Sequence, residues 1–179
     1  TKALPKMIAT VTNPELKQGF QDHLEQTRNH VTRVEQVFRL HGEQAKAVTC
    51  PAIDGIINEA NEILGDAKDP DVLDAAAAAA AQAVEHYEIA RYGTLIAWAR
   101  ELGRDDCAGL LEQTLEEEKA ADVTLTEIAE ARLNRQAAGG HALVVGDARE
   151  WLHEHAFAGC THAEGEVGVF VVARREQRI

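Results

Sequence analysis

The sequence predicts an all-α protein: an antiparallel helical bundle over residues 1 to about 137, followed by a tail of different character. Apolar residues recur at helical spacing through most of the chain, and prolines follow an asparagine or an aspartate where two of the helices would begin. Alanine is abundant, while aromatic residues make up only 4 %. Strands draw on β-branched and aromatic side chains and alanine is the strongest helix former, so this composition selects closely packed helices over a sheet. At 179 residues the chain is long enough to bury a substantial core as one domain.

The segment from Thr1 to Val11 reads as the end of a helix. Asn13-Pro14-Glu15 combines a capping side chain, a proline for the first turn and an acid near the positive helix end, so a helix is expected from Pro14 to His41. It carries Phe20, Leu24, Val31, Val34 and Phe38 at helical spacing and closes at Gly42. Cys50-Pro51 opens a shorter helix, Ala52 to Leu64, with Ile53, Ile56, Ile57, Ala60 and Leu64 on one side and Gly65 as its expected end. Asp69-Pro70-Asp71 repeats the cap-and-proline signal and starts a long helix to Leu102, through an unbroken alanine run from Ala75 to Ala81. Asp105-Asp106 begins the next, with Leu111, Leu115, Leu125, Ile128 and Ala129 on its buried stripe and fraying near Arg135. Short loops make the joined helices antiparallel neighbours, and the long link holding the short helix is a crossover. Residues 138–179 break with this pattern. Gly139-Gly140 interrupts it, and the β-branched runs Ala142-Leu143-Val144-Val145 and Val167 to Val172 indicate an irregular or small β-type tail.

The formal charge of -12 repels polyanions, which excludes nucleic acid as a partner. No apolar run reaches the roughly 20 residues that span a bilayer, and no signal-peptide pattern follows Thr1, so no membrane partner is expected. Cys50, Cys107 and Cys160 are scattered without CxxC spacing, the usage expected of reduced thiols in a cytoplasmic protein.

Side chains at i, i+3, i+4 and i+7 share one helix face. On the Pro70 helix, Glu88 and Tyr92 share a stripe with Ala81, Val84 and Leu95, and Glu85 falls inside it. On the Asp105 helix, Glu118 and Asp122 are bracketed by Leu111, Leu115, Leu125 and Ala129. On the Pro14 helix, His23, Thr27 and His30 lie near the stripe, with Gln26 at its margin. Desolvated carboxylates need a partner or a metal. Carboxylates facing histidines across a bundle are an arrangement that holds two divalent transition ions, so Glu88, Glu118, Asp122, Glu85, His23 and His30 are the candidate ligands, for iron or manganese. The alternative is a structural ion-pair network with Arg91 or Lys119 as the cation. The cluster His141, His153, His155, Cys160 and His162 has no zinc-module spacing and reads as tail composition.

The run Val84-Glu85-His86-Tyr87-Glu88-Ile89-Ala90-Arg91-Tyr92-Gly93-Thr94-Leu95 resembles the YciE/YciF-like stress proteins, a bacterial branch of the ferritin-like superfamily. The likeness extends to Thr114-Leu115-Glu116-Glu117-Glu118-Lys119, Asp122, Ala3-Leu4-Pro5-Lys6-Met7, Asn13-Pro14-Glu15-Leu16 and His23-Leu24-Glu25, and covers residues 1 to about 135. Where the family tends to show Glu-Glu-Thr, this chain has Glu25-Gln26-Thr27. The resemblance implies a ferritin-like four-helix bundle with a short extra helix in the crossover, assembled as a homodimer and linked to stress responses. With the inward carboxylates, it implies a di-iron or di-manganese centre with oxygen or peroxide chemistry. The competing expectation is a non-catalytic dimeric scaffold whose metal site is degenerate. Because the resemblance and the helical pattern both stop before the tail, truncation after Ala137 is expected to leave the thermal midpoint nearly unchanged, as read by circular dichroism.

Overall fold

Asn13 and Asp69 do what their places before proline predict. The Asn13 side chain accepts from the N–H groups of Glu15 (2.9 Å) and Leu16 (3.0 Å), and Asp69 accepts from those of Asp71 (2.8 Å) and Val72 (3.3 Å). The helices so opened dominate the computed structural model, which describes residues 3–142. In chain order these are α1 (Ala3–Thr10), α2 (Pro14–Leu40), α3 (Pro51–Asp66), α4 (Pro70–Glu101), α5 (Asp105–Ile128), a π turn (Ala129–Leu133) and α6 (Asn134–Ala142). There is no strand among the described residues, so the expectation of an all-helical bundle holds there.

Gly42 and Gly103 end α2 and α4 in the left-handed region, at φ 75° and 67°. Around each, two N–H groups turn back onto the last turn: Gly42 to Arg39 and Glu43 to Phe38, Gly103 to Arg100 and Arg104 to Ala99. Gly65, expected to end the short helix, lies inside α3 instead. That helix stops at Ala67, whose extended backbone carries the chain to the Asp69 cap ahead of Pro70.

The connections set the directions. A short loop makes α4 and α5 antiparallel, and Arg104 within it donates to the Leu40 carbonyl (2.9 Å), tying the end of α2 to the start of α5. α2 therefore runs antiparallel to α5 and parallel to α4, and α3 packs back along α4. Two apolar clusters fill the bundle. One gathers Val11, Leu16, Phe20, Ala77, Ala78, Ala81, Leu125 and Leu133; the other holds Ile96, Ala99, Cys107, Ala108 and Leu111. Val31 and Phe38 turn outward, as does Leu95, whose inward place is taken by Ile96.

α5 does not fray near Arg135. Leu125 and Leu133 are eight residues apart, which in an unbroken α-helix leaves them about 80° out of phase. The π turn absorbs the surplus residue and sets Leu133 in the same cluster as Leu125. Helix α6 then runs through Gly139 to Ala142, past the expected boundary at 137. The β-type tail lies outside the described residues from 143 onward, and the described start of that segment is helical.

Asp74 joins the two parallel helices at their common end. Fully buried on α4, it accepts from Thr12 N (2.8 Å), Thr12 Oγ1 (2.7 Å) and Asn13 N (2.7 Å), just ahead of α2. Its loss strands two backbone donors and a hydroxyl, and bonds to a charged acceptor contribute about 1.5–3 kcal/mol each. Asp74→Ala is therefore expected to cost at least ~3 kcal/mol in denaturant unfolding, against ~1 kcal/mol for loss of the solvent-facing cap in Asp69→Ala.

Candidate metal centre

Between the two apolar clusters the interior is polar, and the helical repeat places it there. On α2, Leu16, Phe20, His23, Thr27, His30, Val34 and Val37 follow alternating steps of four and three, so the two imidazoles lie on the same stripe as Leu16 and Phe20. On α4 the stripe runs Ala78, Ala81, Glu85, Glu88, Tyr92, and on α5 Leu111, Thr114, Glu118, Leu125. Where the three meet, His23, His30, Glu85 and Glu118 are all buried, and Glu118 has no exposed surface at all.

Glu118 is the centre. Its Oε2 lies 3.6 Å from His23 Nε2, and its Oε1 lies 3.0 Å from His30 Nδ1. The second contact is close but not aligned as a hydrogen bond, so His30 Nδ1 and both Glu118 oxygens stand without hydrogen-bond partners. His23 Nε2 also faces Glu85 Oε1 at 3.2 Å, leaving Glu85 Oε2 unpartnered. The two imidazole rings meet edge to face with centroids 6.1 Å apart. Each is held from behind: His23 Nδ1 by Gln26 Oε1 (3.3 Å), and His30 Nε2 by Glu117 Oε2 (2.8 Å). Arg33 clamps Glu117 in turn through both terminal nitrogens, at 2.7 and 2.8 Å. Backing of this kind sets ring orientation and tautomer in imidazoles that bind metals.

The electrostatics follow from the crowding. Burial alone would lower the pKa of His23, but its hydrogen bond to Glu85 and the charges of Glu85 and Glu118 outweigh it and raise the value to about 9. His30 is raised in the same way, chiefly through Glu118. Burial, followed by the nearby negative charge of Glu118, raises Glu88 to about 7. Burial and the charges of Glu88 and Glu118 push the Tyr92 phenol well above its usual range. Glu117 is lowered, first by its bond to Arg33.

Of the six candidate ligands, the structure brings ligand atoms of His23, Glu85 and Glu118 within 4.8 Å of one another, with His30 and Glu88 against Glu118. It does not bring Asp122 there. That carboxylate is bonded to Gln82 Nε2 and His86 Nε2, both at 3.1 Å, one turn further along α5 and partly open to solvent. The cations of the alternative network are also elsewhere: Arg91 stacks over Tyr87 and Lys119 pairs with Glu116. The counter-charges are His23, His30 and, through Glu117, Arg33, a contact that spacing along α2 and α5 singly does not announce. His153, His155, Cys160 and His162, and the side chain of His141, lie outside the described residues.

With both His23 and Glu88 raised, the sign is the same for each. The stability they contribute is present below their ordinary pKa values and is lost as pH rises through about 7 for Glu88 and about 9 for His23. The thermal midpoint of chelator-treated protein is expected to fall by several degrees between about pH 6 and pH 9.5, and His23→Gln should flatten that slope. A level or rising profile in the unaltered protein contradicts it.

Residues 1–138 match the family model described as a domain of unknown function, DUF892. Protein YciF of Escherichia coli K12 is 45 % identical over 138 residues, spanning 76 % of this chain and 83 % of that protein. Two solved structures superpose on the bundle. YcfI of Rhodopseudomonas palustris, described as a candidate structural protein, is 58 % identical with a TM-score of 0.69 over 70 % of this chain and 80 % of that one. The E. coli stress protein YciF is 45 % identical with a TM-score of 0.70 over 74 % and 84 %. The chain therefore belongs to the DUF892 family, among the YciF-like stress proteins its sequence resembles.

Proposed function

We propose that this protein is a ferritin-like, stress-associated bundle in which His23, His30, Glu85, Glu88 and Glu118 would hold two divalent transition ions, iron or manganese. The observation that carries the reading is the set of four buried ligand atoms without partners: His30 Nδ1, Glu85 Oε2 and both oxygens of Glu118. Buried polar atoms are nearly always satisfied, and three of these four are carboxylate oxygens, which a donor or a cation would satisfy. Two imidazoles approach the Glu118 carboxylate from its two oxygens. His23 Nε2 stands between Glu85 Oε1 and Glu118 Oε2, while His30 Nδ1 stands against Glu118 Oε1. A mixture of imidazole and carboxylate suits iron or manganese, and the described thiols, Cys50 and Cys107, are not among the donors.

Bound there, two such ions would supply redox chemistry toward dioxygen or peroxide. The chain's own work is to hold the donors still. Gln26 and the Glu117–Arg33 pair fix the two rings, and the apolar clusters bound the layer at its two ends. No described helix is long and apolar enough to cross a membrane. A cytoplasmic homodimer fits the free thiols and the stripe of Leu95, Trp98 and Leu102 left exposed along α4.

The second reading, a scaffold with a degenerate site, is favoured by the His23–Glu85 and His30–Glu117 pairs, which compensate part of the buried charge without an ion. It also accords with the description of the R. palustris YcfI as a structural protein. Metal analysis of protein purified without chelators and soaked in ferrous or manganous salt separates the two. Two ions per chain are expected in the unaltered protein, about one in Glu85→Ala or Glu88→Ala, and none in Glu118→Ala, with helicity retained in all three. A metal-free wild type after soaking leaves the scaffold.

A further inference from the structure

A cavity of about 210 Å³ lies between α2 and α5 and ends against His23 and Glu85. Small residues line it: Gly19 on α2 and Ala120 and Ala121 on α5. It opens to solvent where Asp22, Ala120 and Thr124 are exposed and reaches inward to the buried His23 and Glu85. At its inner end stands the Glu85 carboxylate, 97 % buried by its 3 % exposure, with Oε2 unpartnered. At its outer end stands the exposed Asp22, steadied by a hydrogen bond from Gln18 (2.8 Å). No lysine or arginine lines it.

We propose that this cavity is the inlet through which a hydrated divalent cation reaches the buried centre, with Asp22 as the carboxylate that draws it in. The inference rests on the metal-binding reading above and adds the route and the size limit. Six water molecules at ~30 Å³ each occupy ~180 Å³, so an ion with its first hydration shell fits the space. Sites for organic ligands usually run from about 300 to 1,000 Å³, so the solute class is a small inorganic ion or a molecule of peroxide size. Charge selects within that class: carboxylates stand at both ends and the chain carries a formal charge of -12. Gln26 lines the passage and also holds His23 Nδ1, so the arriving ion meets the Nε2 edge of the ring beside Glu85, where ligand atoms replace its water.

Stopped-flow loading with cobalt(II), followed by its visible absorption, tests the route. Ala121→Leu narrows the passage from within. Thr124→Phe, at an exposed position on the rim, does so with less demand on packing. Both are expected to slow association at least about tenfold while the final stoichiometry, the absorption spectrum and the thermal midpoint stay as in the unaltered protein. Asp22→Asn should slow association a few-fold and weaken its dependence on salt. Unchanged rates in both narrowed variants overturn the inlet while leaving the metal centre standing. So does a lower stoichiometry without slower loading, which would place these residues in the site itself. A wild type that shows no cobalt spectrum overturns the inlet and the metal centre together.

Discussion

Glu118 is a carboxylate with no exposed surface in the middle of a helical bundle, and its need for compensation organises the structure around it. Taking such a group out of water costs several kcal/mol even after relaxation, and one cation at the right place offsets much of that. Both histidines that approach Glu118 come from α2, seven residues apart, so each end of the carboxylate meets an imidazole only when α2 and α5 stand in one axial register. A slip by one turn would carry Glu118 away from one of the two imidazoles. The apolar clusters supply the bulk of the burial and are tolerant of small displacements, whereas the polar layer is not. Specificity of helix alignment and readiness for an ion therefore come from the same few side chains.

The arrangement also explains why the layer can be rigid without an ion. Arg33 and Glu117 form a bidentate pair at the edge of the bundle and pass their orientation to His30. Gln26 does the same for His23 from the side of the cavity. The two rings are thus held from outside the layer, and the atoms facing inward are those left without partners.

Much of this was legible in the chain. The Asn13-Pro14 and Asp69-Pro70 caps mark helix starts to the residue, because capping geometry is local. Glu85, Glu88 and Glu118 could be placed inward from spacing alone, since a heptad-like stripe shows which positions are enclosed. Asp122 could not be separated from them. It shares the stripe of Glu118, but Gln82 and His86 on α4 claim its carboxylate, a matter of which helix lies opposite. Burial of Glu85 in preference to Glu88 has the same origin, and so does the role of Arg33, which meets Glu117 only after α2 and α5 are docked. Gly65 misled because a glycine within a helix and a glycine after one look alike until the following residues show whether a left-handed turn is required.

The π turn at Ala129–Leu133 bears on how chains of this kind can differ in length. Leu125 and Leu133 are both anchored in the cluster around Leu16 and Phe20. A segment one residue shorter would span seven positions, which an ordinary α-helix brings back to the same face within about 20°. The widened turn is thus an expansion joint. One residue can be gained or lost there while everything before Leu125, the Glu118 layer included, keeps its alignment. Within the polar layer the same single-residue change would rotate every downstream side chain by about 100° and take the His–Glu cluster apart.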